Sequence, residues 1–93
     1  MADQPDELVI EFKTPIKNKA GDVITQITLR EPTAAEWRKW DKLAGVDADI
    51  QAVVTVSGQP LSVIEQMAAS QLVEGSNYIA GFLQPALKGG VSE

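Results

Sequence analysis

Apolar and polar positions alternate from Leu8 onward. Leu8, Ile10, Phe12, Thr14 and Ile16 point one way and Val9, Glu11, Lys13 and Lys17 the other, the pattern of a strand with one buried face. Pro15 has no amide proton, so it belongs at an edge or a bulge. Asn18-Lys19-Ala20-Gly21-Asp22 is a turn cluster. A second alternation follows it, with Val23, Thr25, Ile27 and Leu29 on one face and Ile24, Gln26, Thr28 and Arg30 on the other. Two such runs across a short glycine-containing turn predict an antiparallel hairpin over 8–30. A lone hairpin is marginal in water, so its apolar face needs a cover from the rest of the chain.

After Pro32 the spacing becomes helical. Thr33 and Glu36 have capping-box spacing and predict a helix over about 34–44, ending at Gly45. Trp37, Trp40 and Leu43 recur three apart, which places both indoles on one side. Asp47 is a candidate cap for a helix over 48–57. Its Val-Val-Thr-Val run would also suit a strand, but Ile50, Val53, Val54 and Ser57 keep a helical repeat. Gly58-Gln59-Pro60 closes that segment. Ser62 and Glu65 suggest a second capping box and a short helix over 62–67. Ser70 then caps a last helix over 71–83, which Pro85 stops. Gly75 and Gly81 weaken this helix by about 1 kcal/mol each relative to Ala.

The expected fold is therefore α+β, a single small domain of ββααα order: an N-terminal β-hairpin followed by about three α-helices. Residues 8–84 form the domain, between flexible tails at 1–7 and 85–93. The expected core is Leu8, Ile10, Phe12, Val23, Ile27, Leu29, Trp37, Trp40, Ile50, Val53, Val54, Leu72, Ile79 and Leu83.

Composition narrows the function. The 93 residues contain neither cysteine nor histidine. Thiolate metal sites and disulfides are thereby excluded, as is the commonest general base near neutral pH. Paired acids such as Asp47 and Asp49, or Glu31 and Glu36, sit beside helix starts and read as helix-terminus compensation. No phosphate loop, dinucleotide fingerprint or nucleophile elbow occurs. The expectation is a protein that is not an enzyme and has no cofactor, metal or catalytic residue.

Thirteen acidic against eight basic side chains give a net charge of −5. The tightest basic group, Arg38, Lys39 and Lys42, is broken by Asp41. Such a chain is expected to bind no nucleic acid. The acidic N-terminus is unlike a signal peptide, and the longest uncharged stretch, 51–62, is too polar to span a bilayer. No membrane association is expected, and the protein is placed in the cytoplasm.

Two surfaces are candidates for a protein partner. One centres on Trp37 and Trp40, since tryptophan is enriched among interface hot spots, although packing under the hairpin is the competing role. The other is the last helix, with Leu72, Ile79 and Leu83 along a stripe and Tyr78 and Phe82 beside it. Small residues there allow close approach of a partner helix.

The run Thr28-Leu29-Arg30-Glu31-Pro32-Thr33 carries a resemblance, together with Thr14-Pro15-Ile16, Ala20-Gly21-Asp22-Val23-Ile24, Val56-Ser57-Gly58-Gln59-Pro60 and Gly81-Phe82-Leu83. Over Leu8 to Leu83 the chain resembles the tail assembly chaperones of Mu-like phages and prophages. It departs from that pattern in opening its last helix with Ser70 rather than an acid. The resemblance implies a viral morphogenesis factor that binds the tape measure protein, a long apolar-rich helical chain. It would keep that chain soluble and help to recruit tail tube protein around it. It also implies host cytoplasm as the location, absence from the mature virion, and a longer form made by programmed frameshifting. Ala86-Leu87-Lys88 can be encoded with a slippery U-UUA-AAR heptamer. A homo-oligomer is a further expectation. Two other readings are a structural or adaptor component of the tail, such as a completion or joining protein, and an acidic regulatory protein-binding module.

Overall fold

The computed structural model describes residues 5–91, and of residues 84–91 the backbone only. Two strands, β1 (Glu7–Lys17) and β2 (Val23–Arg30), form an antiparallel hairpin. Among the described residues four helices follow: α1 (Ala34–Trp37), α2 (Gly45–Ser57), α3 (Leu61–Ile64) and α4 (Ala69–Val91). α2 and α4 pack on each other and on the sheet, while α1 and α3 are single turns that brace α2. This is the expected ββ-then-helices α+β domain.

The hairpin turn closes through the Asn18 side chain, whose Oδ1 accepts the Asp22 amide at 2.9 Å. Pairing is regular from Glu7 opposite Arg30 to Glu11 opposite Gln26, then resumes with Ile16 opposite Ile24. Residues 12–15 of β1 thus face Thr25 alone, a wide bulge that absorbs Pro15 as the sequence predicts. The bulge shifts the phase of the alternation. Ile16 is buried and Ile24 half-buried, whereas Val23, expected in the core, is 56% exposed. Gln71 of α4 satisfies the bulged backbone. Its amide nitrogen donates to the Glu11 carbonyl at 2.7 Å and its oxygen accepts from the Lys13 amide at 3.1 Å. One side-chain amide here does what a neighbouring strand would do.

The core is built from Ile10, Phe12, Ile16, Ile27 and Leu29 of the sheet and Ala52, Val53 and Val56 of α2. Val63, Ile64 and Met67 join them, as do Leu72, Tyr78 and Ile79 of α4. Leu8, Ile50, Val54 and Phe82 pack on its margin. Gly75 lies where α4 crosses both layers. A methyl there would sit 3.0 Å from Leu29 Cδ1, 3.3 Å from Ile10 Cδ1 and 3.4 Å from Val53 Cγ2. The residue that weakens α4 as an isolated helix is therefore what lets it approach the sheet.

Helix boundaries depart from the sequence pattern in several places. α1 ends at Trp37, and 38–43 continue as turns held by i→i+3 bonds such as Trp40 N–H to the Trp37 carbonyl. Gly45, at φ 63°, opens α2 instead of closing α1, and Asp47 lies in the first turn without capping it. Gly58, at φ 75°, ends α2 as expected, donating its amide to the Val54 carbonyl. The Ser62–Glu65 box does not form; α3 follows Pro60 directly. α4 begins at Ala69, so Ser70 is inside it, and its helical backbone runs through Pro85 to Val91.

Neither expected tail is wholly a tail. Glu7 already pairs in β1, and the Pro5 carbonyl accepts the Tyr78 hydroxyl at 2.7 Å. The expectations for residues 1–4 and 92–93 lie outside the described residues.

Candidate partner-binding site

The junction between β2 and α1 is built by local chemistry that the sequence foretold. The Thr33 hydroxyl accepts the Glu36 amide at 3.2 Å, and the Glu36 carboxylate accepts the Thr33 amide at 2.9 Å. Arg30 adds a bidentate pair, with both guanidinium nitrogens 2.8 Å from the two Glu36 oxygens. Hydrogen bonds from the Arg30 side chain, and then from the Thr33 backbone, hold the Glu36 carboxyl down to about 2. The same pair raises the Arg30 guanidinium. The last residue of the sheet is thereby clamped to the first turn of α1, which fixes where Trp37 and Trp40 point.

The two indoles have different surroundings. Trp40 is 7% exposed and lines a cavity of about 80 Å³ between Ala48, Asp49 and Ala52 of α2 and Ser76, Ile79, Ala80 and Leu83 of α4. Trp37, one turn earlier, lies outside that cleft and is 38% exposed, so its expected place in the core is not what the structure has. Of the other candidate partner residues, Leu72, Tyr78 and Ile79 are buried in the domain itself. Phe82 and Leu83 are half-buried. The Tyr78 and Phe82 rings meet edge to face at 5.1 Å. Burial raises the Tyr78 hydroxyl above its ordinary range, reinforced by the charges of Asp6, Glu7 and Glu31.

The structure thus separates residues that the sequence pattern groups together. Trp40, Leu72, Tyr78 and Ile79 hold the fold, while Trp37, Phe82 and Leu83 retain accessible surface. It also adds two that the pattern missed: Leu43 at 44% exposure in the α1–α2 connection and Val46 at 59% in the first turn of α2. The helical reading of 34–44 turned Leu43 inward with the indoles. The available signal was Gly45, which can start as well as end a helix.

Among the described residues no group of acidic, histidine or cysteine side chains is placed to hold a metal ion. No helix among them is long and apolar enough to cross a membrane. What the structure leaves accessible around the α1–α2 connection are Trp37, Leu43 and Val46, side chains of the kind that contact other proteins.

Comparison with curated proteins and with solved structures gives no match. A family model described as phage tail assembly chaperone proteins, E, or 41 or 14, matches residues 9–84. That span runs from the first strand well into α4, and the chain belongs to the phage tail assembly chaperone family.

Proposed function

We propose that this chain serves phage tail assembly by binding the tape measure protein, keeping it soluble and helping to recruit tail tube subunits around it. It does so as a binding protein, without catalysis, in the host cytoplasm, and it leaves before the virion is complete. The observation that carries the reading is the family match combined with apolar side chains left outside a closed core. Trp37, Leu43 and Val46 face solvent although the core, with Val53, Val63 and Ile64, is fully packed. A client rich in apolar helical segments supplies the complementary face in the helix-in-groove mode. Phe82 and Leu83 of α4 are half-buried and offer further apolar surface. A longer frameshifted form and self-association are compatible additions to this role.

Deleting the reading frame from a producing phage tests the proposal. The expected result is filled heads without tails, restored by supplying the chain in trans, together with its absence from purified complete particles by mass spectrometry. Stoichiometric recovery of the chain from complete particles would overturn the reading in favour of a structural tail component.

A further inference from the structure

The two outer edges of the sheet are treated differently. On β1 the bulge, Pro15 and two glutamines from beyond α2 close the edge. Gln71 takes the Glu11 carbonyl and the Lys13 amide, and the Gln66 amide nitrogen donates to the Lys17 carbonyl at 3.3 Å. These bonds also fix the direction of the ladder. Because Glu11 turns its carbonyl away from β2, Glu11 and Gln26 stand opposite each other without mutual hydrogen bonds, as do Val9 and Thr28 two residues along. The amides and carbonyls of Gln26 and Thr28 therefore point out of the other edge of the sheet. Among the described residues no hydrogen bond reaches them. From Val23 to Leu29 this edge carries neither charge nor proline, and five of its seven residues are β-branched. It lacks the devices that keep an edge strand solitary.

The helix above adds a roof. α2 and α4 lie side by side, α2 chiefly on β2 and α4 chiefly on β1. Ala48, Asp49 and Ala52 face α4 across the Trp40 cleft. At 3.6 residues per turn, Val46, Ile50 and Val54 fall on the other flank of α2. Val46 is exposed, and Ile50 and Val54 are half-buried. Packed helices lie about 8–10 Å apart and paired strands about 4.8 Å, so two helices are wider than two strands. The flank of α2 away from α4 thus overhangs the free edge of β2.

We infer that this edge takes an extended segment of another protein as a third strand, with apolar side chains at alternate positions beneath α2. The unpaired amides and carbonyls of Gln26 and Thr28 call for a backbone, which a helix, with its own groups already paired, does not supply. The flank of Val46, Ile50 and Val54 calls for apolar side chains on one face of that strand. A second copy of this chain fits less well. Pairing β2 with β2 would drive the two copies of α2 together, because helix axes need about 8–10 Å and neighbouring strands leave about 4.8 Å. A bare strand brings no second layer. The inference goes beyond the tape measure reading, which concerns helical segments, and Trp37 and Leu43 take no part in it.

The test uses the full chain, hydrogen exchange read by NMR, and a short synthetic peptide of alternating threonine and valine with lysine at each end. In the free chain the Gln26 and Thr28 amides should exchange at least about tenfold faster than those of Ile27 and Leu29. The peptide should slow Gln26 and Thr28 at least about tenfold. With its valines under α2, its threonines lie opposite Gln26 and Thr28. The same peptide N-methylated at the threonines should therefore bind at least about tenfold more weakly. Val46→Glu, at an exposed position, should weaken the parent peptide about tenfold by placing a charge in the roof. Thr28→Pro removes an amide from the free edge alone and should abolish binding. Circular dichroism identifies a variant that has not folded, and the N-methylated peptide tests the same bonds without altering the chain. No binding of the parent peptide at about 1 mM, equal affinity of the N-methylated peptide, or binding that leaves Gln26 and Thr28 unprotected would overturn the inference. Slow exchange of these two amides in a free chain that sediments as a dimer would also overturn it, giving the edge to a second copy.

Discussion

Gly75 is where the packing makes its most exposed commitment. Replacing it with Ala removes the backbone penalty of a mid-helix glycine, a gain of about 1 kcal/mol. The new methyl would lie 3.0, 3.3 and 3.4 Å from Leu29, Ile10 and Val53. Carbon atoms prefer roughly 3.5–4.0 Å. All three neighbours are buried, so none can swing into solvent to make room. Overpacking of this kind costs about 1–3 kcal/mol. The expected balance for Gly75→Ala is a net loss of about 1 kcal/mol, and for Gly75→Val, with two further methyls, about 3 kcal/mol. In a domain of this size each 1 kcal/mol moves the melting midpoint by about 4–8 °C. Urea and thermal unfolding followed by circular dichroism read both values. Shortening the closest neighbour supplies the control. The double variant G75A/L29V should be more stable than the sum of the single changes by at least about 0.5 kcal/mol. An alanine variant about 1 kcal/mol more stable than the parent, or a strictly additive double variant, would refute the tight crossing.

The remaining predictions concern other joints of the molecule. Because Glu36 is held near 2, its stabilising contribution is complete above the ordinary carboxylate range near 4.3 and is lost as pH falls towards 2. Between pH 5 and 2 the parent should therefore lose about 1 kcal/mol more stability than Glu36→Gln, the partly exposed Arg30 limiting the effect; parallel pH profiles would contradict the clamp. Gln71→Ala leaves the Glu11 carbonyl and Lys13 amide to solvent and should cost about 1–2 kcal/mol. In hydrogen exchange the Lys13 amide should lose protection selectively, and unchanged exchange there would show that Gln71 does not staple the bulge. Trp40→Ala should cost about 3–5 kcal/mol, and Trp37→Ala no more than about 1. Iodide should quench the emission of the parent but much less that of Trp37→Phe; comparable quenching of the two would contradict the different placement of the indoles.

The parts of this fold that were legible in the sequence are those fixed by near neighbours. The period-two runs and the Asn18–Asp22 turn announce the hairpin, and Thr33 with Glu36 announces the start of α1, since each is satisfied within a few residues. The bulge could be suspected from Pro15, but not its width, because its backbone is satisfied by Gln71, far along the chain. That width is what turned Val23 outward. Trp37 and Trp40 have the same spacing to their neighbours in sequence, and only the position of the α2–α4 cleft decides which is covered. Gly75 read as a weakness of α4 because its cost is local and its benefit is tertiary. Asp47, Ser62 and Ser70 have the chemistry of caps, yet α2, α3 and α4 start elsewhere, held by packing rather than by those side chains. Of the apolar side chains that stay accessible, the sequence pattern singled out Trp37, Phe82 and Leu83, while Leu43 and Val46 became visible only once α1 was seen to be a single turn.

The most direct measurement is co-expression of this chain with the tape measure protein of the same phage, followed by sedimentation of the lysate and affinity capture of the chain. The account predicts a tape measure protein that pellets when made alone, stays in the supernatant with this chain, and elutes with it. It also predicts return to the pellet when Trp37 and Leu43 are replaced together by Ser in a variant that still folds. A tape measure protein whose solubility is indifferent to this chain, and which does not elute with it, would contradict the account.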